Sequence, residues 1–95
     1  MAAYVLVDIR VNDPVRYERY KELASPTISA FDGRYLARGG AVKVLEGNLA
    51  ANRTVVLEFP SVERAVEWWN SELYRPIRQI RYDTAESRML VVEGC

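Results

Sequence analysis

The sequence contains no histidine, which removes the commonest metal ligand, the commonest general base and the usual axial ligand for haem. Its one cysteine is Cys95, so no intramolecular disulfide can form, and a reducing, cytoplasmic setting is expected. A catalytic role for that thiol would need a neighbour that lowers its pKa, whereas the nearby Glu93 would raise it. Neither sign of charge is in excess: thirteen Lys plus Arg balance thirteen Asp plus Glu, leaving no global field to draw in nucleic acid or an anionic membrane. Neither is expected as a partner. No hydrophobic run approaches the length of a membrane span, and no run resembles a calcium loop. No metal and no tightly held cofactor are expected. The opening MAAYVLVDIRV lacks a basic leader and reaches Asp8 after a short apolar stretch, so it reads as a strand and not as a signal peptide.

What is present suffices for a packed core. The 95 residues support a single domain, 1–95, and 49% of them are hydrophobic. At this size roughly two-thirds of the unfolded chain's surface is buried on folding. Aromatics make up 11%, with six Tyr and two Trp, generous for an interface as well as a core.

From Tyr4 to Val11 the residues alternate, placing Val5, Val7, Ile9 and Val11 on one face and Tyr4, Leu6, Asp8 and Arg10 on the other, the signature of a strand. Asp13 then caps a helix that Pro14 begins. Its expected inner stripe is Val15, Tyr17, Tyr20, Leu23 and Ala24, and Pro26 is expected to kink or restart it. Asp32-Gly33 marks a turn. Arg34 to Arg38 reads as a strand meeting Gly39-Gly40, where a bulge is expected, with Val42 to Glu46 continuing it. An irregular loop should run from Gly47-Asn48 to Asn52, followed by a strand over Arg53 to Phe59. Ser61 caps a second helix that buries Val62, Ala65, Val66 and Trp69. Ser71 to Thr84 supplies a shorter helical piece with Pro76 near its start, and Ser87 to Glu93 a last strand.

The order β-α-β-β-α-β is the split βαβ arrangement, an α+β ferredoxin-like fold in which helices cover one face of a four-stranded antiparallel sheet. Uninterrupted alternation would gather Leu6, Asp8, Arg10, Leu36, Arg38, Val56, Glu58, Met89 and Val91 on the uncovered face. That set mixes apolar with oppositely charged residues. A solvated face would not need the first, nor a helix-covered face tolerate the second, so a second sheet packed on it is expected: a homodimer through the open sheet face.

The runs GRYLARGG at Gly33 to Gly40, LEG at Leu45 to Gly47 and VVLEFPS at Val55 to Ser61, with Ala65, Trp68-Trp69, Ser71, Tyr74, Arg81 and the closing VVEG at Val91 to Gly94, resemble the bacterial family called domain of unknown function 1330 (DUF1330). The resemblance covers nearly the whole chain. It departs at Asp32, where the family more often has a further glycine. Membership would imply the dimeric α+β barrel superfamily, with two sheets face to face and helices outside. Relatives there include cofactor-free monooxygenases, lactone isomerases and haem-degrading enzymes, with pockets commonly between sheet and helices. DUF1330 has no settled activity, so the resemblance implies a fold and an interface and no reaction.

Several residues qualify as site candidates. Asp8, Arg38 and Glu58 are expected together on the open face, either as a buried ion-pair network fixing the dimer's register or with Arg38 holding a substrate carboxylate and a carboxylate acting as base. Gly39 permits close backbone approach. Glu46 sits at a strand end, within reach of Arg53. Among the aromatics, Tyr20 and Trp69 fall on inner stripes and are expected in the core, while Trp68 and Tyr74 lie off them and suit a pocket or interface. Arg81 stands on an apolar stripe and needs a partner, whether Glu58, a backbone carbonyl or a ligand anion. Arg38, Glu46 and Glu58 are thus the catalytic candidates, and Asp8, Tyr20, Gly39, Trp68, Trp69, Tyr74 and Arg81 the ligand-binding ones.

Two functions fit. One is a small-molecule-binding protein or cofactor-independent enzyme acting on a small organic compound, with or without a carboxylate. The other is a non-enzymatic dimeric assembly or regulatory module. RNA binding on the sheet fits poorly, because the aromatic and basic strand motif it requires is missing.

Overall fold

Strict alternation in the first strand produces one wholly buried row, Ala3, Val5, Val7 and Ile9, and this row organises the fold. The computed structural model describes residues 1–48 and 52–95. The elements run β1 (Ala3–Val11), α1 (Pro14–Ala30), β2 (Arg34–Arg38), β3 (Arg53–Phe59), α2 (Val62–Asn70), α3 (Arg75–Thr84) and β4 (Ala85–Glu93). The strands form one sheet in the order β2-β3-β1-β4, every pair antiparallel. This is the ferredoxin-like α+β fold, with the buried face of the sheet toward the helices. No helix of the described residues is long and apolar enough to cross a membrane.

Local chemistry sets the element ends. The Asp13 carboxylate accepts from the Arg16 N–H at 3.1 Å and Pro14 opens α1; the Ser61 hydroxyl accepts from the Arg64 N–H at 3.1 Å to open α2. Helix α1 ends in a Schellman motif, with the Asp32 N–H bonded to the Ser29 carbonyl and the Gly33 N–H to the Ile28 carbonyl. That motif needs a left-handed residue after the cap. Asp32, at φ 65°, supplies it. At Gly33 a Cβ would lie 2.6 Å from the Phe59 ring, so the turn has to be this bare for the chain to pass the core.

Four expectations are corrected. Helix α1 continues through Pro26 without a break, and its buried residues are Tyr17, Tyr20, Ala24, Thr27 and Ile28; Leu23 is half-buried and Val15 points to solvent. The bulge falls between Tyr35 and Ala37, not at Gly39-Gly40. Val42 to Glu46 does not extend the strand: Gly39, at φ 68°, leaves the extended region, and once its N–H has bonded the Thr54 carbonyl the chain turns off the ladder. The expected loop to Asn52 crosses residues 49–51, which lie outside the described residues. Finally, Met89 and Val91 pair with Val7 and Val5 on the helix side, so Arg88, Leu90 and Val92 occupy the open face.

The two tryptophans exchange their expected roles. Trp68 is 1% exposed and Trp69 36%. Trp68 stacks on Tyr74 with ring centres 4.2 Å apart and on Phe59 at 5.4 Å, while its indole N–H donates to the Thr27 hydroxyl at 3.0 Å. Tyr74, expected at a pocket or interface, is also fully buried in the core, so both residues are shielded by long-range stacking that helical spacing alone does not reveal.

Candidate functional site

The bulge in β2 decides where the charges go. Before it, Arg34 stands opposite Glu58; after it, Ala37 stands opposite Val56 and Arg38 opposite Val55, whose side chain is in the core. One inserted residue reverses the phase of everything beyond it, so Arg38 leaves the open face and lies over α1. The expected Asp8, Arg38 and Glu58 group is therefore not assembled. Glu58 pairs instead with Arg34, Nε to Oε1 at 2.7 Å, and Asp8 stands between Thr54 and Arg88 on the open face.

On the helix side Arg38 meets different company. Its Nη2 donates to the Lys21 carbonyl at 3.0 Å, and its guanidinium lies 4.3 Å from the centre of the Tyr35 ring. Arg53, at the start of the neighbouring strand, places its guanidinium 5.8 Å from the Tyr17 ring centre. Lys21 follows Tyr17 by one helical turn and is ion-paired to Glu18 at 3.0 Å. These residues border two connected spaces. A small, partly open cavity of about 30 Å3 lies between sheet and helices, against Tyr17, Tyr20, Ile28, Leu57 and Trp68. A surface cleft of about 500 Å3 is bounded by Glu18, Glu22 and Ser25 of α1. Lys21, Arg38 and Arg53 line both and form the neck between them. The cavity has room for about two water molecules.

Gly39 belongs to this neck in a specific way: a Cβ built on it would meet the Arg53 guanidinium, 2.6 Å from Cζ. Its left-handed φ adds a second reason for glycine. Gly39→Ala is expected to cost about 1–2 kcal/mol of stability through backbone strain and to push Arg53 from the neck; urea unfolding measures the first, and a loss much below this range would show that the turn re-forms without strain.

Beneath the neck, polar groups are buried in a core that carries no carboxylate. The Tyr20 and Tyr74 hydroxyls bond each other at 2.7 Å. Burial, reinforced by that neighbouring phenol, pushes the Tyr20 pKa well above its ordinary value; burial also raises Tyr17, against the opposing pull of Arg53. Both phenols are thus neutral at neutral pH. Arg81 is 2% exposed and donates to the Ser87 hydroxyl. Burial alone would weaken its hold on a proton, but the facing Tyr74 and Tyr20 phenols outweigh that and raise its pKa, so the side chain stays charged. Its partner is none of the three expected. Glu58 lies on the opposite face of the sheet.

The remaining candidates fall elsewhere. Glu46 is exposed, and no ion pair joins it to Arg53 among the described residues. Trp69 stacks under Arg78 at 3.9 Å and borders a separate apolar groove of about 270 Å3 between α2 and β4. Among the described residues no group of three or more Cys, Asp or Glu side chains is placed to hold a metal ion. Of these residues Arg38, Gly39 and Tyr20 were candidates from sequence, Arg53 was expected only as a partner for Glu46, and Lys21 and Tyr35 were not singled out. A hairpin in which Arg38 nears the end of one strand as Arg53 opens the next was the available sign, obscured by a loop of unknown register.

Comparisons with known proteins agree with this architecture. A protein of unknown function from Rhodopseudomonas palustris superposes with a TM-score of 0.79 at 19% identity, covering 99% of this chain and 82% of that one. A dimeric ferredoxin-like protein of unknown function from Thermobifida fusca gives 0.67 at 15% identity, covering 99% and 92%. SnoaB, a cofactor-independent oxygenase from Streptomyces nogalater, gives 0.65 at 10% identity, covering 99% and 93%. At such identities the likeness is one of fold. No curated protein matches the sequence. The model of the family described as domain of unknown function (DUF1330) matches residues 2–95, and the chain belongs to that family.

Proposed function

We propose that the protein is a homodimer, closed through its open sheet faces, that binds a small organic compound at the neck between α1 and the β2–β3 hairpin and acts on it, if it is an enzyme, without a cofactor. The observation that carries this reading is the neck itself: a cleft of about 500 Å3 communicates with an interior cavity through three basic side chains, Lys21, Arg38 and Arg53. Ligand sites are concave, largely preformed and furnished with a few convergent polar groups. A cofactor-independent oxygenase built on the same fold lends support by analogy. A lone thiol, Cys95, and no disulfide suit a cytoplasmic setting.

The proposed interface rests on register. Along the open face Leu6 stands between Val56 and Leu90, and Tyr4 between Glu58 and Val92, while Asp8 and Arg10 face Arg88 and Glu86 on β4. An apolar centre with a charged margin is the composition of a protein–protein contact.

Thermal denaturation against a panel of small metabolites tests the ligand. A compound at a hundred times its Kd adds about 2.7 kcal/mol, which for a domain of this size raises Tm by roughly 10–20 °C. A second reading, a non-enzymatic dimeric assembly or regulatory module, draws on the small interior cavity of about 30 Å3. A panel without a single stabilising compound would favour it.

A further inference from the structure

We infer that Arg38 and Arg53 form a subsite for a small planar monocarboxylate, whose two oxygens bridge the guanidinium groups while its carbon body lies against the phenol rings of the neck. The inference rests on the small-molecule reading above and names its ligand class. Four other arginines are ion-paired, Arg16 to Asp83, Arg19 to Glu22, Arg34 to Glu58, and Arg64 to Asp32 and Glu67, whereas Arg10, Arg75, Arg78, Arg81 and Arg88 make no ion pair among the described residues. Lys21 is neutralised by Glu18. Among the described residues no carboxylate lies within ion-pairing distance of Arg38 or Arg53, and the two guanidinium groups line one concave place. In a chain of zero formal net charge, that is a local arrangement and not a consequence of basic composition.

Both groups are held ready. Arg38 is fixed by the Lys21 carbonyl and the Tyr35 ring, which leaves most of its donors free. Arg53 is wedged between the Tyr17 ring and the bare Cα of Gly39, and its Nε is buried with no acceptor among the described residues. A buried donor without a partner is unfavourable, and a ligand oxygen at the neck relieves it. Fork-shaped donors are matched by a flat anion with two equivalent oxygens, which is a carboxylate.

The outer cleft limits the charge such a ligand carries. Glu18 and Glu22 line it beside the arginines, so a second negative group, or the doubly charged form of a phosphate, would face carboxylates at close range. A single carboxylate on an uncharged body avoids them. The inner walls, Tyr17, Tyr20, Ile28 and Leu57, are aromatic and aliphatic, and the cavity of about 30 Å3 admits only a short apolar fragment. Benzoate and crotonate have this form.

Calorimetric titration of the purified full chain with acetate, crotonate, benzoate, benzamide and inorganic phosphate tests the subsite. Benzoate or crotonate is expected to bind at least tenfold more tightly than benzamide or phosphate. Arg38→Gln and Arg53→Gln are each expected to remove that advantage, Arg38→Lys to retain part of it, and Arg75→Gln, at the exposed start of α3, to leave it intact. Urea midpoints confirm that each variant is folded. Equal binding of benzoate and benzamide, an unchanged benzoate affinity in both glutamine variants, or tighter binding of phosphate would each overturn the carboxylate subsite while leaving the small-molecule reading standing. If uncharged metabolites stabilise the protein and no monocarboxylate binds, the subsite alone fails. If nothing binds at all, both fall.

Discussion

Trp68→Ala is expected to remove about 3–5 kcal/mol of stability, whereas Trp69→Ala, one residue away, removes at most about 1 kcal/mol. Trp68 is fully enclosed, and its truncation opens a cavity between Phe59, Tyr74 and the buried row of β1 that rigid neighbours cannot fill. It also deprives the Thr27 hydroxyl of its donor. Trp69 lies on the surface under Arg78, and its loss costs one exposed cation–π contact and some apolar cover. A domain of this length has a total stability of roughly 5–14 kcal/mol, so the Trp68 variant should approach unfolding at ambient temperature. Trp68→Phe retains most of the stacking, loses only the N–H bond, and should cost substantially less. Urea midpoints for the three variants decide the matter: equal losses at 68 and 69 would mean that the indoles share the core, contrary to the observed packing.

That pair of neighbours also shows where local sequence stops being informative. In a nine-residue helix, Val62, Ala65, Val66 and Trp69 satisfy helical spacing as well as Ala65 and Trp68 do. The two stripes differ by one residue, about 100° of rotation. What selects between them is Phe59, Tyr74 and Thr27, the last of them 41 positions distant along the chain. Only tertiary structure supplies such partners. By contrast, β1, β3 and the starts of α1 and α2 were legible because their determinants are local: a two-residue period, Asp13 before Pro14, and Ser61 three residues before the amide it caps.

The sheet failed differently. In β4 the run Met89-Leu90-Val91-Val92 is apolar at every position, so alternation carries no phase, and pairing with β1 decides that Met89 and Val91 turn inward. In β2 the sequence pointed to the glycines as the irregularity, whereas the bulge sits at Leu36 and the glycines end the strand. Because the bulge comes three residues before the glycines, its one inserted residue moves Arg38 to the other side of the sheet. The candidate site accordingly shifted from an open-face group with Asp8 and Glu58 to a neck beneath α1 with Arg53 and Lys21, although Arg38, Gly39 and Tyr20 stay in it.

The corrected phase makes the dimer more sharply testable, since the row Val56, Leu6, Leu90 now forms the centre of the open face. Leu6 is 40% exposed and Leu90 57% in a protomer whose own core lies on the opposite side. In the proposed dimer the two-fold axis brings this row against its copy, so Leu6→Asp introduces one carboxylate from each protomer into an apolar contact. A charge left there without a partner is among the most damaging single changes available to an interface. The dimer dissociation constant is expected to rise at least a hundredfold, about 2.7 kcal/mol. The protomer should remain folded, because no buried side chain is altered. Sedimentation velocity at micromolar concentration should show wild type as a dimer and Leu6→Asp as a monomer with an unchanged circular dichroism spectrum. Val15→Asp, on the solvent side of α1, should remain dimeric. Should Leu6→Asp sediment with wild type, the open sheet face is not where the subunits meet, and the mixed greasy and ionic surface there would need a different partner.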